Sequence, residues 1–430
     1  MKKNNIAINL FYALGDKFGR MAISFLLTAY IARTLTKDEF GIINYGLTIS
    51  SLAITFSWII SADIVVKMLA QYKNFHSYII DTSFWARTIL SIITFLFYLA
   101  FCINKFNSKE LLVLLFFSSA ILLNPFSIIH SYFRYKTELT NIIKLDFLTF
   151  IFISIAKFLI LYITKNVSYL AAVFILEYLS SALIFLYLFK KDKKCISFNI
   201  SIIFLKKMTT LGWPLLLSAS VGMLFIKIDR IMIAELCDTS KLADYFIATN
   251  LTEVWWSIPT IFIQVISAKM IYLANKKDIS LNYKIANKII SLFFIITTLL
   301  TILCSSNIIT FVYGYKFVNS SSILNIYIIC SIFVFWDLLN MQLLIKNHKT
   351  ALILYKSIIG LLSNIILSYY LITNLGIIGA AIGTLLSYFI CWLFIILIDK
   401  TIRSLVKIQI FSLFNPLINF NDIKIITKQL

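Results

Sequence analysis

The chain has 430 residues, of which 60% are hydrophobic and only 13% charged. Soluble domains carry about 25% charged residues, so an ordinary soluble protein is excluded, and 4 prolines with 11 glycines exclude a linker-rich or collagenous one. A formal net charge of +20 would point to nucleic acid in a soluble protein; beside so much apolar sequence it points instead to an anionic inner membrane surface, and nucleic acid is not expected as a partner.

Apolar runs of about 20 residues, the length that crosses a bilayer, recur from end to end. They predict an all-α polytopic membrane protein with twelve transmembrane helices, at 6–33, 41–64, 83–103, 110–130, 142–164, 168–189, 209–235, 244–266, 288–312, 322–344, 351–373 and 377–398. No room is left for a separate soluble domain. The N-terminus shows no small-residue cleavage site after a short apolar core, so a retained first span is expected rather than a signal peptide. With the N-terminus in the cytoplasm, most cations fall on the inner side, among them Lys2, Lys3, Arg134, Lys136, Lys190, Lys191, Lys193, Lys194, Lys206, Lys207, Lys269, Lys288, Lys356, Lys424 and Lys428. Arg33, Lys37, Lys105, Lys109, Lys165, Lys241 and Lys316 remain outside. This asymmetry follows the positive-inside rule and places both termini in the cytoplasm.

The expected organisation is an N-lobe at 1–189 (spans 1–6), a basic interfacial elbow at 190–208, a C-lobe at 209–398 (spans 7–12) and a cytoplasmic tail at 399–430. An internal repeat supports the two lobes. Ile31-Ala32 with Gly41 matches Ile233-Ala234 with Ala243 at an offset of 202 residues, and Tyr162-Ile163-Thr164 with Ala171-Ala172-Val173 matches Leu371-Ile372-Thr373 with Ala380-Ala381-Ile382 at 209. Parallel repeats of this kind build transporters whose substrate site lies between the halves.

Taken in chain order, the polar residues inside apolar runs carry the chemistry. Gly15-Asp16-Lys17-Phe18-Gly19-Arg20 interrupts span 1. Two readings fit: a charged face in a substrate path, or Lys17 and Arg20 snorkelling to the interface and pairing only with Asp16. Gly15 and Gly19, four apart, share a face and suit bending or close packing. Lys157 in span 5 and Glu177 in span 6 stand at similar depth on either side of an outer turn and are expected to pair, structurally or as part of a path. Span 7 opens with Gly212-Trp213-Pro214 and closes with Lys227, Asp229 and Arg230; Lys227 and Arg230 share a face. Glu253 in span 8 and Asp337 in span 10 are buried-acid candidates for reversible binding of H⁺ or Na⁺. Trp255, Trp256 and Pro259 follow Glu253.

No phosphate-binding loop, nucleophile elbow or metal-ligand spacing occurs. The six cysteines (Cys102, Cys195, Cys237, Cys304, Cys330, Cys391) form no close pair, and His76, His130 and His348 are far apart in sequence. No metal, disulfide or organic cofactor is expected. The outer loops are too short to hold an acceptor, so the chain is read as moving a substrate rather than transforming it: not an enzyme.

Several short stretches resemble Wzx-type polysaccharide flippases, the O-antigen and capsule repeat-unit carriers of the multidrug/oligosaccharidyl-lipid/polysaccharide exporter (MOP) superfamily. Ala32-Arg33-Thr34-Leu35-Thr36-Lys37-Asp38-Glu39-Phe40-Gly41 matches the family's A-R-x-L-x-x-x-E-[FY]-G, with Arg33, Glu39 and Gly41 as its fixed points. Asp229-Arg230-Ile231-Met232-Ile233 is similar to its D-R-x-x-[IL] element, Tyr313-Gly314-Tyr315-Lys316-Phe317 to its Y-G-x-x-[FY] turn, and Gly376-Ile377-Ile378-Gly379-Ala380-Ala381 to G-[IV]-x-G-A-A. Ala243-Asp244-Tyr245 departs from the glycine that many relatives carry before the tyrosine.

The resemblance implies two six-helix lobes related by a pseudo-two-fold repeat around a V-shaped central cavity. It implies an undecaprenyl-diphosphate-linked oligosaccharide as substrate, moved from the inner to the outer leaflet of the bacterial cytoplasmic membrane for lipopolysaccharide or capsule synthesis. Polysaccharide polymerase and chain-length proteins are the partners it implies. Lys17, Arg20, Lys157, Lys227 and Arg230 are then the cavity cations for diphosphate and sugar, and Glu253, Asp337 and Asp229 the acids that answer an ion gradient. A multidrug efflux antiporter of the same superfamily is the nearest alternative. A membrane glycosyltransferase or polymerase would need a catalytic outer loop, and lipid II flippases commonly carry two further spans.

Overall fold

The computed structural model describes residues 3–138, 140–192, 194–267 and 276–417. Lys2, Lys193, Lys269, Lys424, Lys428 and the tail beyond 417 lie outside the described residues. Every regular element described is a helix: α1 (Lys3–Thr34), α2 (Lys37–Phe56), α3 (Ala62–Gln71), α4 (His76–Ile103), α5 (Ser108–Leu123), α6 (Ser127–Lys136), α7 (Thr140–Thr164), α8 (Val167–Lys191), α9 (Ile202–Leu236), α10 (Thr239–Ser267), α11 (Lys276–Tyr313), α12 (Ser320–Tyr327), α13 (Cys330–Lys346), α14 (Thr350–Leu375), α15 (Ile377–Ile398) and α16 (Lys400–Phe414). Among the described residues ten segments are long and apolar enough to cross a membrane, with α2–α3, α5–α6 and α12–α13 each forming one segment. α1 and α10 stand where spans 1 and 8 are predicted and fall outside that set.

The chain divides into two compact units, Met1–Met223 and Leu224–Leu430. The division falls inside α9. The residues of the basic elbow expected at 190–208 belong wholly to the first unit; α8 runs on to Lys191 and α9 starts at Ile202.

The sequence repeat has a structural counterpart at the helix starts. Thr36 and Glu39 form a capping box at the head of α2, where Thr36 Oγ1 accepts from the Glu39 N–H at 3.3 Å. Asp238 Oδ1 accepts from the Lys241 N–H at 2.5 Å at the head of α10. Thr36 is to Asp238 as Ile31 is to Ile233, so each repeat satisfies the same orphan donor of a helix N-terminus with its own capping residue.

In the first unit, two broken segments meet at one cation. Ser57 and Ser61 interrupt the second span. The Ser57 hydroxyl donates to the Ile54 carbonyl at 2.7 Å, and Ser61 caps α3. Pro125 interrupts the fourth between α5 and α6, as a ring without an N–H does inside a helix. Asn124 Nδ2 donates across to Ser57 Oγ at 2.5 Å. Arg87, buried in α4, donates to the Ile60 carbonyl and to Ser127 Oγ, each at 2.6 Å. The carbonyl end of a helix carries partial negative charge, which favours a guanidinium there without a carboxylate. Ile60, Val65, Met68, Ile80, Ile128 and Tyr132 pack around the clasp as the unit's apolar core.

In the second unit, α14 and α15 form a close hairpin. A Cβ on Gly379 would stand 2.0 Å from the Leu371 carbonyl oxygen, and one on Gly383 would stand 2.5 Å from Ser368 Oγ. The first part of the tail is α16. Its buried Gln409 donates to Tyr283 Oη (2.7 Å) and Asn340 Oδ1 (3.1 Å) and accepts from Trp392 Nε1 (3.0 Å), joining α11, α13 and α15. Asp399 caps α16 through the Ile402 N–H at 3.0 Å and binds Lys349 at 2.5 Å.

Two stability predictions follow from these contacts. Arg87→Met should lower stability by about 2–3 kcal/mol, because a charge-assisted hydrogen bond and a buried carbonyl's partner are lost together; thermal unfolding of the purified protein in detergent measures it. Burial alone would raise the Asp399 carboxyl, but the Lys349 ammonium and the cap N–H groups outweigh it and hold it below the usual carboxylate range. Its stabilisation is therefore full above the ordinary carboxylate pKa and disappears as pH falls through the lower folded value. An Asp399→Asn protein should lose stability at neutral pH and show a flatter acid limb in the same unfolding assay.

Candidate functional site

Several charged side chains within the described spans form ion pairs that join neighbouring helices. In the first unit Arg20 projects from α1, donating to Asp16 Oδ1 at 2.7 Å and to Asp146 Oδ2 of α7 at 2.8 Å, with its guanidinium 4.8 Å from the Phe150 ring centroid. Ser181 of α8 donates to the other Asp146 oxygen at 2.7 Å. Arg20 therefore does more than neutralise Asp16: it ties α1 to α7. Lys17, one turn earlier on α1, is exposed. At Gly19 an added Cβ would stand 2.7 Å from the Phe147 ring, which explains a small residue there, whereas Gly15 has nothing within 4 Å.

Lys157 of α7 pairs with Glu177 of α8, and its ammonium lies 3.4 Å from the Phe174 ring centroid. In the second unit Arg230 of α9 pairs with Glu253 of α10, donates to Thr249 Oγ1 at 3.2 Å and lies 5.0 Å from the Phe246 ring centroid. The adjacent Asp229 is wholly buried. It accepts from the Tyr245 hydroxyl, from Thr384 Oγ1 at 3.3 Å and from the Arg230 N–H at 2.8 Å. Lys227, half-buried, stands one turn earlier on α9. Trp256 donates to Ser331 Oγ at 2.6 Å and stacks on Tyr327, so it serves packing.

Asp337 of α13 is held by Lys356 of α14, whose ammonium lies 2.5 Å from both carboxylate oxygens. This corrects the placement of Lys356 among inner-side cations: it is buried within α14. Lys288, grouped with it, is buried in α11. The sequence reading also passed over Asp146 and Arg87. Both are charges inside apolar runs, which is the signal that could have found them. The signature residue Glu39 is engaged in the α2 capping box; Gly41 is buried in α2, and Arg33 is exposed at the end of α1.

Three of these pairs share one asymmetry. Side-chain exposure is 5% for Lys157 against 25% for Glu177, 6% for Arg230 against 33% for Glu253, and 8% for Lys356 against 31% for Asp337. In each, the cation is sunk and the carboxylate is its accessible cover. Lys157 and Arg230 are thus not bare cations. Among the described residues no group of three His, Cys, Asp or Glu is placed to hold a metal.

Solved structures of membrane transporters share this fold. The lipid II flippase MurJ in an inward closed conformation matches with a TM-score of 0.73 at 16% identity, covering 95% of this chain and 91% of that one. An inward-facing multidrug resistance MATE family transporter of the MOP superfamily matches at 0.62 and 13% identity, over 90% of this chain and 95% of that one. A MOP superfamily transporter from Pyrococcus furiosus matches at 0.57 and 12% identity, over 94% and 95%. A comparison with curated proteins found no match. The family described as polysaccharide biosynthesis protein matches residues 6–268, and the chain belongs to that family; its fold is the one those solved transporters share.

The pairs make a direct prediction. Glu177→Gln leaves the buried Lys157 uncompensated, at a cost of about 3–5 kcal/mol. Exchanging the two residues (Lys157→Glu with Glu177→Lys) should recover part of that loss in thermal unfolding. A double exchange no more stable than either single change would show that the pair does not hold α7 to α8.

Proposed function

We infer that this protein is a flippase that carries undecaprenyl-diphosphate-linked oligosaccharide repeat units from the inner to the outer leaflet of a bacterial cytoplasmic membrane. The observation that carries this reading is membership of the polysaccharide biosynthesis family on a fold shared with a lipid II flippase. The physical problem fits that task. Sugars and a diphosphate do not cross about 30 Å of hydrocarbon unaided, whereas a polyprenyl tail stays in lipid throughout. The proposed architecture is twelve spans, with α1 and α10 completing the ten that stand out by length and hydropathy, in two lobes around a V-shaped cavity. The termini and the basic elbow face the cytoplasm, and alternating access exposes the cavity to each leaflet in turn.

The paired charges supply a route to coupling. Lys17 offers positive charge to an arriving diphosphate, and Lys227, beside Arg230 and Glu253, adds to the positive charge of the second unit. Arg20, Lys157 and Arg230 are engaged by carboxylates and become available when those are displaced or protonated. A proton on Glu253 removes the charge that holds Arg230 and leaves the guanidinium free for a phosphate oxygen; Asp337 stands in the same relation to Lys356. Asp229, set among the Tyr245 and Thr384 hydroxyls, is the deepest acid of the set and the one best shielded from cargo. Proton uptake and diphosphate binding thus draw on the same cations, which is a differential interaction of the sort that coupling requires.

Deletion of the gene tests the reading. Complete lipid-linked repeat units should accumulate in the inner leaflet while surface polysaccharide is lost; failure to assemble the unit would instead mean an enzymatic role. In proteoliposomes carrying a fluorescent lipid-linked oligosaccharide, Glu253→Gln should keep flipping activity while losing at least part of its response to an imposed pH gradient. An unchanged response would remove Glu253 from the coupling path.

A further inference from the structure

The elbow between α8 and α9 is fastened to α4 and leaves apolar surface uncovered. Trp85 Nε1 donates to the Ser197 carbonyl at 3.0 Å, the Ser197 N–H to Asp81 at 3.1 Å, and the Ser201 N–H to Thr82 Oγ1 at 2.9 Å. Held this way, Phe198, Ile202 and Ile203 remain 74%, 78% and 69% exposed. Such side chains lie at low cost against acyl chains and at high cost against water.

Two exposed cations follow at once. Lys207 donates to Tyr72 Oη at 3.0 Å and stands 4.7 Å from that ring's centroid. Neither Lys206 nor Lys207 has an acidic partner among the described residues. Three grooves meet at this pair. One of about 390 Å³ runs along Ile60, Ala86, Ile89, Leu90, Ile202 and Leu205 with Lys206 on its lining. A second of about 720 Å³ runs along Phe75, Tyr78, Phe198, Ile203 and Phe204 with Lys207 on its lining. The third, of about 370 Å³, contains both lysines with Tyr72 and Met68. All three lie within the first unit.

We propose that Lys206 and Lys207 bind the phosphate of an anionic diacyl phospholipid whose two acyl chains occupy the apolar grooves on either side of the start of α9. Two ammonium groups match one phosphate. The Tyr72 hydroxyl accepts from Lys207 and keeps its own proton to donate to a phosphate oxygen. Two apolar channels, each with a lysine on its lining, fit a lipid with two chains better than the single chain of a polyprenyl carrier. The elbow is then a lipid-anchored strap, and its binding is independent of the cargo inferred above.

The test uses the full-length protein in nanodiscs of phosphatidylcholine, with or without phosphatidylglycerol. Native mass spectrometry should show phosphatidylglycerol retained over phosphatidylcholine by roughly tenfold, the order expected of two lysines at a charged lipid surface. Thermal unfolding should shift upward in the phosphatidylglycerol discs. K206A/K207A should lose both effects, and K206R/K207R should keep them. Tyr72→Phe, which retains the ring, should weaken the preference while leaving the fold intact. Equal retention of the two lipids by the wild type, or an undiminished preference in K206A/K207A, overturns the proposal. If K206A/K207A does not fold, the wild-type retention ratio and Tyr72→Phe decide alone. Displacement of phosphatidylglycerol from the wild type by undecaprenyl diphosphate, lost in K206A/K207A, would assign the site to the carrier lipid instead and overturn the choice of occupant.

Discussion

Charge inside a low-dielectric helical bundle must be compensated, and that requirement organises both units. An isolated buried ion costs several kcal/mol, whereas a well-placed pair recovers most of it. Arg20 with Asp146 joins α1 to α7, Lys157 with Glu177 joins α7 to α8, Arg230 with Glu253 joins α9 to α10, and Lys356 with Asp337 joins α13 to α14. Apolar contact between helices in lipid carries little specificity, because lipid tails are as apolar as leucine. Paired charges fix which helix faces which. The paired residues thereby also determine the assembly of each unit.

The Arg87 clasp applies the same constraint without a carboxylate. Breaking a helix in a membrane frees backbone groups that must find partners within the protein. The interruption at Ser57–Ser61 frees the Ile60 carbonyl, the one at Pro125 brings Ser127 nearby, and Arg87 answers both. The two irregular segments are therefore one feature. Either break alone would leave the guanidinium with half of its bonds, so straightening one helix would weaken the other.

How far the chain itself disclosed this depends on sequence distance. Helix positions were legible because hydropathy and span length leave few choices, and the repeat was legible enough for its caps at Thr36 and Asp238 to coincide. Lys157 and Glu177 were legible as a pair because a short turn places them at matching depth. Asp337 and Lys356 flank the turn at 347–349 in the same manner, and the same arithmetic finds them once Lys356 is treated as part of a span rather than its end. Arg20 and Asp146 are 126 residues apart, and no local rule brings α1 to α7. The break at Pro125 is written in the residue; the break at Ser57 is not, because serine is compatible with helix when its hydroxyl bonds backward. Gln409 was illegible for a related reason: in a basic, moderately apolar tail nothing marks one glutamine as the buried hub of α11, α13 and α15.

The exposure asymmetry bears on the flippase function proposed above, in which the bundle would handle an anion. A cavity lined by bare lysines and arginines would attract diphosphate strongly in both of its open states and release it poorly, because a ligand with equal affinity for two states shifts neither. Covering each cation with a carboxylate makes the site nearly neutral at rest and charged only when the cover is neutralised. Under the proposed function, affinity for the anion would depend on whether the Glu177, Glu253 and Asp337 carboxylates stay engaged rather than on a fixed count of cations. In that reading loading and release turn on displacement of the covering carboxylate, which suits cations that are less exposed than their acids in three separate helix pairs.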